Sequence, residues 1–216
     1  MNFAAARHNM VDSQLRTNKV NDAAVLDAFD SVPREMFAPA GREAVAYVDD
    51  DLPIAPGRFL MEPMVLARLV QLAGPKASDA ALDVACGTGY STAILARLAG
   101  RVVGLEGDAG LARRARASLL DQGATNASIV EGDPPQGWRE GAPYDTILVN
   151  GMIDVVPPAL VEQLGEGGRL VYVQRRDGVG RATLTTRIEG VVSSRISFEA
   201  AVPPLPGFLA PAGFVF

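Results

Sequence analysis

Cysteine, histidine and tryptophan are nearly absent from this chain of 216 residues, each occurring once. Cys86 alone excludes an intrachain disulfide and fits a reducing compartment. One histidine, His8, and one cysteine cannot build the usual zinc site, so no metal is expected. His8 also lacks a serine-elbow partner for a triad, and a catalytic thiol at Cys86 would need a base that the sequence does not place beside it. Both read as ordinary residues, His8 on the surface of the first helix and Cys86 as a small loop residue. No apolar run approaches the length of a membrane span, and the first residues carry no apolar signal core. The reading is a cytoplasmic protein with no membrane partner. There are 20 basic and 25 acidic residues, a net charge of −5, with no Lys/Arg-rich run. That balance argues against nucleic acid as a partner. The length suits one well-buried domain, and the oligomeric state stays open.

What the chain does have is concentrated at Ala81-Leu82-Asp83-Val84-Ala85-Cys86-Gly87-Thr88-Gly89-Tyr90. An apolar strand ends in an acid and runs into a glycine-bearing turn, followed by a helical pattern from Ser91 to Ala99. Glycine lets the backbone take left-handed conformations and lets a ligand approach the main chain. A second strand, 101–105, ends in Glu106, where a carboxylate can accept hydrogen bonds from both ribose hydroxyls. A dinucleotide loop would carry a third glycine, but Thr92 stands there. Asp83 would repel a pyrophosphate and can pair with an amino group. The loop therefore suits a cationic, phosphate-free nucleoside, with S-adenosyl-L-methionine as the expected cofactor.

Around this loop the pattern predicts an α/β fold. Helical periodicity runs from His8 to about Phe37, with Asp22 as a cap and Val32-Pro33 as a stop, and a short helix is expected from Gly41 to Val48. Residues 49–61 read as irregular, and Pro63 opens a helix to about Ala73. Beyond Lys76 strands and helices alternate, which predicts a mostly parallel, doubly wound sheet. Strands are expected near 80–84, 101–105, 127–130, 145–149 and 168–173, with helices near 89–99, 108–122 and 157–164. Residues 182–188 and 191–198 read as an antiparallel hairpin, giving seven strands. The proline-rich segment from Val202 to Phe208 cannot be a central strand and reads as a surface tail, with Phe214 and Phe216 docked or loosely held. The organisation expected is an N-terminal helical cover and acceptor loop, 1–75, over a cofactor-binding core, 76–216, in one structural domain.

Several blocks, in one order from roughly His8 to Val173, resemble the protein-L-isoaspartate O-methyltransferase family of class I S-adenosylmethionine-dependent methyltransferases. They are Val32-Pro33-Arg34-Glu35-Met36-Phe37, Ala46-Tyr47 with Leu52-Pro53-Ile54, the cofactor loop, Glu131-Gly132-Asp133, Pro143 to Val149, Val156 to Leu160, and Gln163-Leu164 with Gly167 to Leu170. The resemblance implies a Rossmann-like fold and methyl transfer to a carboxylate of damaged protein or peptide. It places Asp83, Ala85, Gly87 and Gly89 on the methionine side of the cofactor, Glu106 on the ribose and Asp133 beside the adenine amino group. Ala85 stands where members usually have glycine, and Asp145 reads as structural.

One departure matters. Where the family pattern is Gly-x-Gly-Gln-Thr-Ile-Ser-Gln-Pro, this chain has Ala55-Pro56-Gly57-Arg58-Phe59-Leu60-Met61-Glu62-Pro63. Phe59 and Met61 replace the hydroxyl-bearing residues near the acceptor, and neither can donate a hydrogen bond to a carboxylate. Gly57, Phe59, Leu60 and Met61 are thus the candidate acceptor loop, and no catalytic side chain is assigned. Arg58 is expected to face solvent, though it could supply a replacement cation. Two alternatives follow from the departure: a methyltransferase of the same fold with a more apolar protein, peptide or small-molecule acceptor, or a cofactor-binding protein without isoaspartyl activity.

Overall fold

The computed structural model describes residues 1–210; the expectation for Phe214 and Phe216 lies outside them. In chain order the elements are α1 (Phe3–Met10), α2 (Ala23–Ser31), β1 (Leu52–Ala55), β2 (Arg58–Leu60), α3 (Pro63–Ala73), β3 (Ala80–Val84), α4 (Tyr90–Leu98), β4 (Arg101–Glu106), α5 (Ala109–Asp121), β5 (Ala127–Glu131), β6 (Tyr144–Ile153), α6 (Pro158–Glu162), β7 (Leu164–Arg176), β8 (Val179–Ile188) and β9 (Val191–Glu199). Seven strands form one sheet in the order β5-β4-β3-β6-β7-β8-β9. The first five are parallel, and β8 and β9 close the edge antiparallel. The strand order reverses between β3 and β6, the topological switch beyond whose carboxyl ends such sheets bind ligands.

Local sequence explains these elements. Pro63 stands in the first turn of α3, and Gly74, left-handed at φ 55°, ends the helix. Seven of its eleven residues are buried, among them Leu66, Leu69 and Val70. Each such large apolar side chain contributes about 1.5–3 kcal/mol by leaving water. Asp22 caps α2, its carboxylate accepting from the amides of Ala24 and Val25. One face of the sheet shares an apolar core with α3, α4, α5 and the N-terminal section, and this core runs from Met10 to Val202. A second core on the other face joins β3, β4, β6 and β7 to α6 and to Leu205 and Phe208. Asp145 ties β6 to β3 by accepting from the Ala80 amide at 2.8 Å. No helix among the described residues is long and apolar enough to cross a membrane.

Four expectations need correction. The helical stretch after His8 is broken: a π-helical turn, Val11–Leu15, and a 3-10 turn, Arg16–Asn18, follow α1 and end at left-handed Lys19. The helix expected from Gly41 to Val48 is only a 3-10 turn, Glu43–Val45. The amides here bond three residues back, Val45 to Arg42 and Ala46 to Glu43, after left-handed Gly41, and the wholly buried Arg34 takes the Ala46 carbonyl through Nε at 2.6 Å. Residues 49–61 are not irregular throughout, since β1 and β2 pair as a hairpin in which Leu52 faces Leu60, turning at Pro56 and positive-φ Gly57. Finally, the segment from Val202 to Phe208 is not a surface tail. Main-chain bonds between Met152 and Pro203, Leu205 and Met152, and Asp154 and Phe208 lash it to the end of β6, burying Leu205 and Phe208.

Gly104 in β4 was read only as part of a strand, yet the core leaves it no room for a side chain. A Cβ there would lie 2.5 Å from Ile129 Cδ1 and 2.8 Å from Thr92 Oγ1. Even if the Ile129 methyl swings aside, the added methyl still presses on Thr92 Oγ1, which is held by its bond to Asp83. Gly104→Ala is expected to destabilise the protein by about 1–3 kcal/mol, the usual cost of overpacking, measured as a lower urea midpoint at unchanged slope.

Candidate active site

The strand ends at the switch point converge on two buried carboxylates. Asp83, the penultimate residue of β3, is wholly buried and accepts from Ser91 Oγ at 2.7 Å, Thr92 Oγ1 at 2.6 Å and Asn150 Nδ2 at 2.5 Å. Burial raises its pKa to about 6 despite these donors. These bonds pin the start of α4 and the end of β6 to the loop and occupy three of the carboxylate's four or so acceptor positions. Asp83 therefore orders the loop through its side-chain bonds.

Glu106 ends β4 and is also wholly buried. The Gly87 amide donates to Oε2 at 2.7 Å and the Asp108 amide to Oε1 at 3.0 Å. Arg58 supplies the other two donors, Nη1 to Oε1 at 2.5 Å and Nη2 to Oε2 at 2.8 Å, and Nη2 also reaches the Ala85 carbonyl at 2.9 Å. The expectation that Arg58 faces solvent is overturned: a buried carboxylate between strands requires a partner, and the hairpin β1–β2 brings this one.

The loop glycines divide their work. Gly87, at φ 60°, would place a Cβ 2.8 Å from Ile54 Cδ1 of the hairpin, so a side chain there would press on Ile54. Gly89, at φ 91°, lies against Ala115 of α5, where a Cβ would come 3.1 Å from that residue's own; it serves helix packing more than ligand approach. Ala85 holds a left-handed φ of 56°, a conformation that costs a residue bearing Cβ about 1–2 kcal/mol. Cys86 is buried and its thiol is pushed up by that burial, which keeps it inert. Asp133 is exposed just beyond β5, two residues after Glu131, which pairs in register with Glu106.

The acceptor segment is split by the hairpin. Gly57, Arg58, Phe59 and Met61 line a small cavity, about 10 Å³, with Asp51, Asn150, Gly151 and the segment from Val202 to Leu205. Leu60 does not belong to it, because it packs into the core opposite Leu52. Asn150, Arg34 and Thr88 carry site geometry that sequence reasoning missed. Arg34 donates to the Met61 carbonyl at 2.8 Å and Thr88 Oγ1 to the Phe37 carbonyl at 2.8 Å, fastening the N-terminal section to the loop after β3. Position offers the signal: Asn150 lies near the end of the strand beside Asp83, and Arg34 sits within a quoted motif.

The chemistry of the donor set fits a cofactor ribose. Two N–H groups of Arg58 stand on the buried Glu106 carboxylate where two hydroxyls could donate. Gly87 beside it has a cradle that a Cβ would fill. Gly87, Glu106 and the exposed Asp133 are the residues that could hold such a group.

The mouth of this site is acidic. Glu62, where the family pattern has glutamine, is raised to about 7, first by burial and then by Asp51, Asp49 and Asp50; Asp51, whose carboxylate accepts from the Glu62 amide, is raised to about 6 by burial. A folded pKa above the ordinary 4.5 of Glu62 means that the native state holds the proton more tightly. Stability from this source is full below that ordinary value and is lost as pH rises through about 7. Glu62→Gln should therefore match the unaltered protein in stability at pH 4.5 and exceed it at pH 8, as read from denaturant midpoints at both pH values.

Comparison with known proteins agrees with this geometry. The protein-L-isoaspartate(D-aspartate) O-methyltransferase (PCMT) family matches residues 6–200. A protein-L-isoaspartate O-methyltransferase of Koribacter versatilis is 42% identical over 169 residues, 78% of this chain and 76% of the relative. One from Methanoculleus marisnigri is 39% identical over 165 residues, 76% and 75% of the two chains. Among solved structures, a protein-L-isoaspartate O-methyltransferase superposes with a TM-score of 0.81 at 24% identity, covering 93% of this chain and 66% of that one. A Plasmodium falciparum structure described as a putative member in complex with S-adenosyl-L-homocysteine gives 0.80 at 20% identity, with 95% and 98% covered. These two likenesses show the fold. The chain belongs to the protein-L-isoaspartate(D-aspartate) O-methyltransferase family, enzymes that use S-adenosyl-L-methionine.

Proposed function

We propose that this protein transfers the methyl group of S-adenosyl-L-methionine to a carboxylate of damaged protein or peptide, the isoaspartyl group being the first candidate. The observation that carries this reading is the Glu106 carboxylate, buried at the end of β4 beside the Gly87 turn with two side-chain donors on its oxygens. Glu106 would hold the ribose, Gly87 would allow close approach, and Asp133 would meet the adenine amino group. Asp83 acts one step back by fixing the loop.

The cofactor's chemistry is an electrophilic methyl already activated by positive sulfur. An acceptor carboxylate is ionised at neutral pH, so no general base is required. The chain's own contribution is to place that carboxylate in line and to exclude water. The hairpin β1–β2 and the segment from Val202 to Leu205 are positioned to do so, since both wall the cavity next to Arg58.

Phe59 and Met61 favour a second reading, a more apolar acceptor. Both line the cavity, and neither offers a hydrogen bond to a carboxylate. Transfer of labelled methyl to an isoaspartyl peptide separates the two readings. Weak transfer is expected from the unaltered protein, and Phe59→Thr combined with Met61→Ser should raise it roughly 5- to 150-fold, about 1–3 kcal/mol of transition-state stabilisation. Transfer by the unaltered protein as fast as that of an active family member, in the same assay, would remove the apolar-acceptor reading. No transfer by either protein would remove the carboxylate reading.

A further inference from the structure

Arg58 has two environments within reach. Its guanidinium is clamped on Glu106, yet the residue also lines the cavity beside Phe59 and Met61, where it is the one cationic side chain among the lining residues. The remaining polar groups of that lining are the Asp51 carboxylate and the Asn150 amide. Asn150 is spent on Asp83 and on the Val84 carbonyl, and one Asp51 oxygen accepts from the Glu62 amide. At about 10 Å³ the cavity holds no more than a water, so an acceptor carboxylate reaches it only if its walls part, and there it meets a like charge at Asp51 and no free side-chain donor unless Arg58 turns toward it.

Glu106, for its part, is saturated. A carboxylate has about four acceptor positions, and the amides of Gly87 and Asp108 with the two nitrogens of Arg58 occupy them. Ribose hydroxyls can reach the carboxylate only by displacing the guanidinium, since the two amides are part of the loop itself. Displacement leaves a buried cation that needs an anion, and the cavity next to it is where the acceptor would arrive.

We propose that Arg58 is an exchangeable acceptor-binding residue: the cofactor's ribose takes its place on Glu106, and the released guanidinium becomes the counter-cation of the acceptor carboxylate. The proposal rests on the carboxylate reading above and adds an order to it, cofactor first and acceptor second. It also supplies what the missing hydroxyls of the acceptor loop do not, because a guanidinium binds a carboxylate through two parallel bonds. Cofactor and acceptor are then coupled positively, each tightening the other by the same factor.

The test is calorimetry on the full chain, with S-adenosylhomocysteine and an isoaspartyl peptide as probes. Arg58→Gln carries the residue type of the family pattern and keeps an amide donor near Glu106, so it is the variant to fold; Arg58→Lys keeps the charge and loses the fork. Arg58→Gln should bind S-adenosylhomocysteine about tenfold more tightly than the unaltered protein, because the closed state no longer competes. The unaltered protein should bind the peptide about tenfold more tightly with S-adenosylhomocysteine present than without it, and Arg58→Gln should abolish that dependence while Arg58→Lys retains part of it. Unchanged or weaker S-adenosylhomocysteine binding by Arg58→Gln overturns the exchange. Peptide binding by the unaltered protein that ignores S-adenosylhomocysteine overturns the acceptor role, as does methylation by Arg58→Gln as efficient as before. Failure of the carboxylate reading looks different: the unaltered protein then transfers no methyl to the peptide although the affinity gain of Arg58→Gln persists, a result that leaves the displacement standing and overturns the acceptor role.

Discussion

A buried carboxylate at the end of β4 governs the arrangement of everything above the sheet. Glu106 has no access to water, so each of its oxygens must find donors within the protein, and the cost of failing would be several kcal/mol. Two donors come from the backbone on either side of it in the fold, at Gly87 and Asp108, and these shape the turn after β3 and the entry to α5. The other two come from a hairpin that lies far away in sequence. One charge thereby sets the cofactor loop, the start of a helix and the position of the acceptor segment.

Two further hubs hold the frame in which that charge sits. Asp83 gathers Ser91, Thr92 and Asn150, joining β3, α4 and β6 through side chains. Arg34, wholly buried, donates to the carbonyls of Ala46 and Met61 and lies over the Tyr90 ring. Its bonds tie the segment before the hairpin to the residue that ends the acceptor loop, and Tyr90 opens α4 beneath it. The site is consequently rigid on the sheet side, where β3, β4 and β6 are laddered together. On the hairpin side β1 and β2 ladder only with each other, and Arg34 and Arg58 make the ties to the rest. This division suits a fold in which ligands enter beyond the strand ends and a cover segment closes over them.

The sheet was legible in the sequence because alternating apolar strands and helices have a period, and the sequence carries that period without knowledge of the third dimension. The five parallel strands and the closing hairpin all appear within a few residues of their expected places. The N-terminal section was less legible. Its π-helical and 3-10 turns bond at spacings other than the α-helical one, and the section is held by contacts distant in sequence, such as Arg34 on the Ala46 and Met61 carbonyls. Such long-range capping leaves no periodic trace. The tail after Val202 was misread for a related reason: prolines correctly ruled out a central strand, but they do not forbid two apolar side chains, Leu205 and Phe208, from plugging into the second core.

For the site, the sequence by itself determined the chemistry at fixed short spacing: an acid before a glycine turn, a second acid at the end of the next strand, and an order of motifs that names the family. These are local constraints, because a tight turn and a strand end are built by neighbouring residues. The tertiary structure alone decided how those groups are engaged. Asp83 takes donors from α4 and β6, Gly89 serves a helix contact, Leu60 turns into the core, and Arg58 pairs with a carboxylate 48 positions away. A single arginine in a loop has no pattern to betray its partner, so its bond to Glu106 emerges only when burial removes water from the carboxylate and folding brings the one matching cation to it.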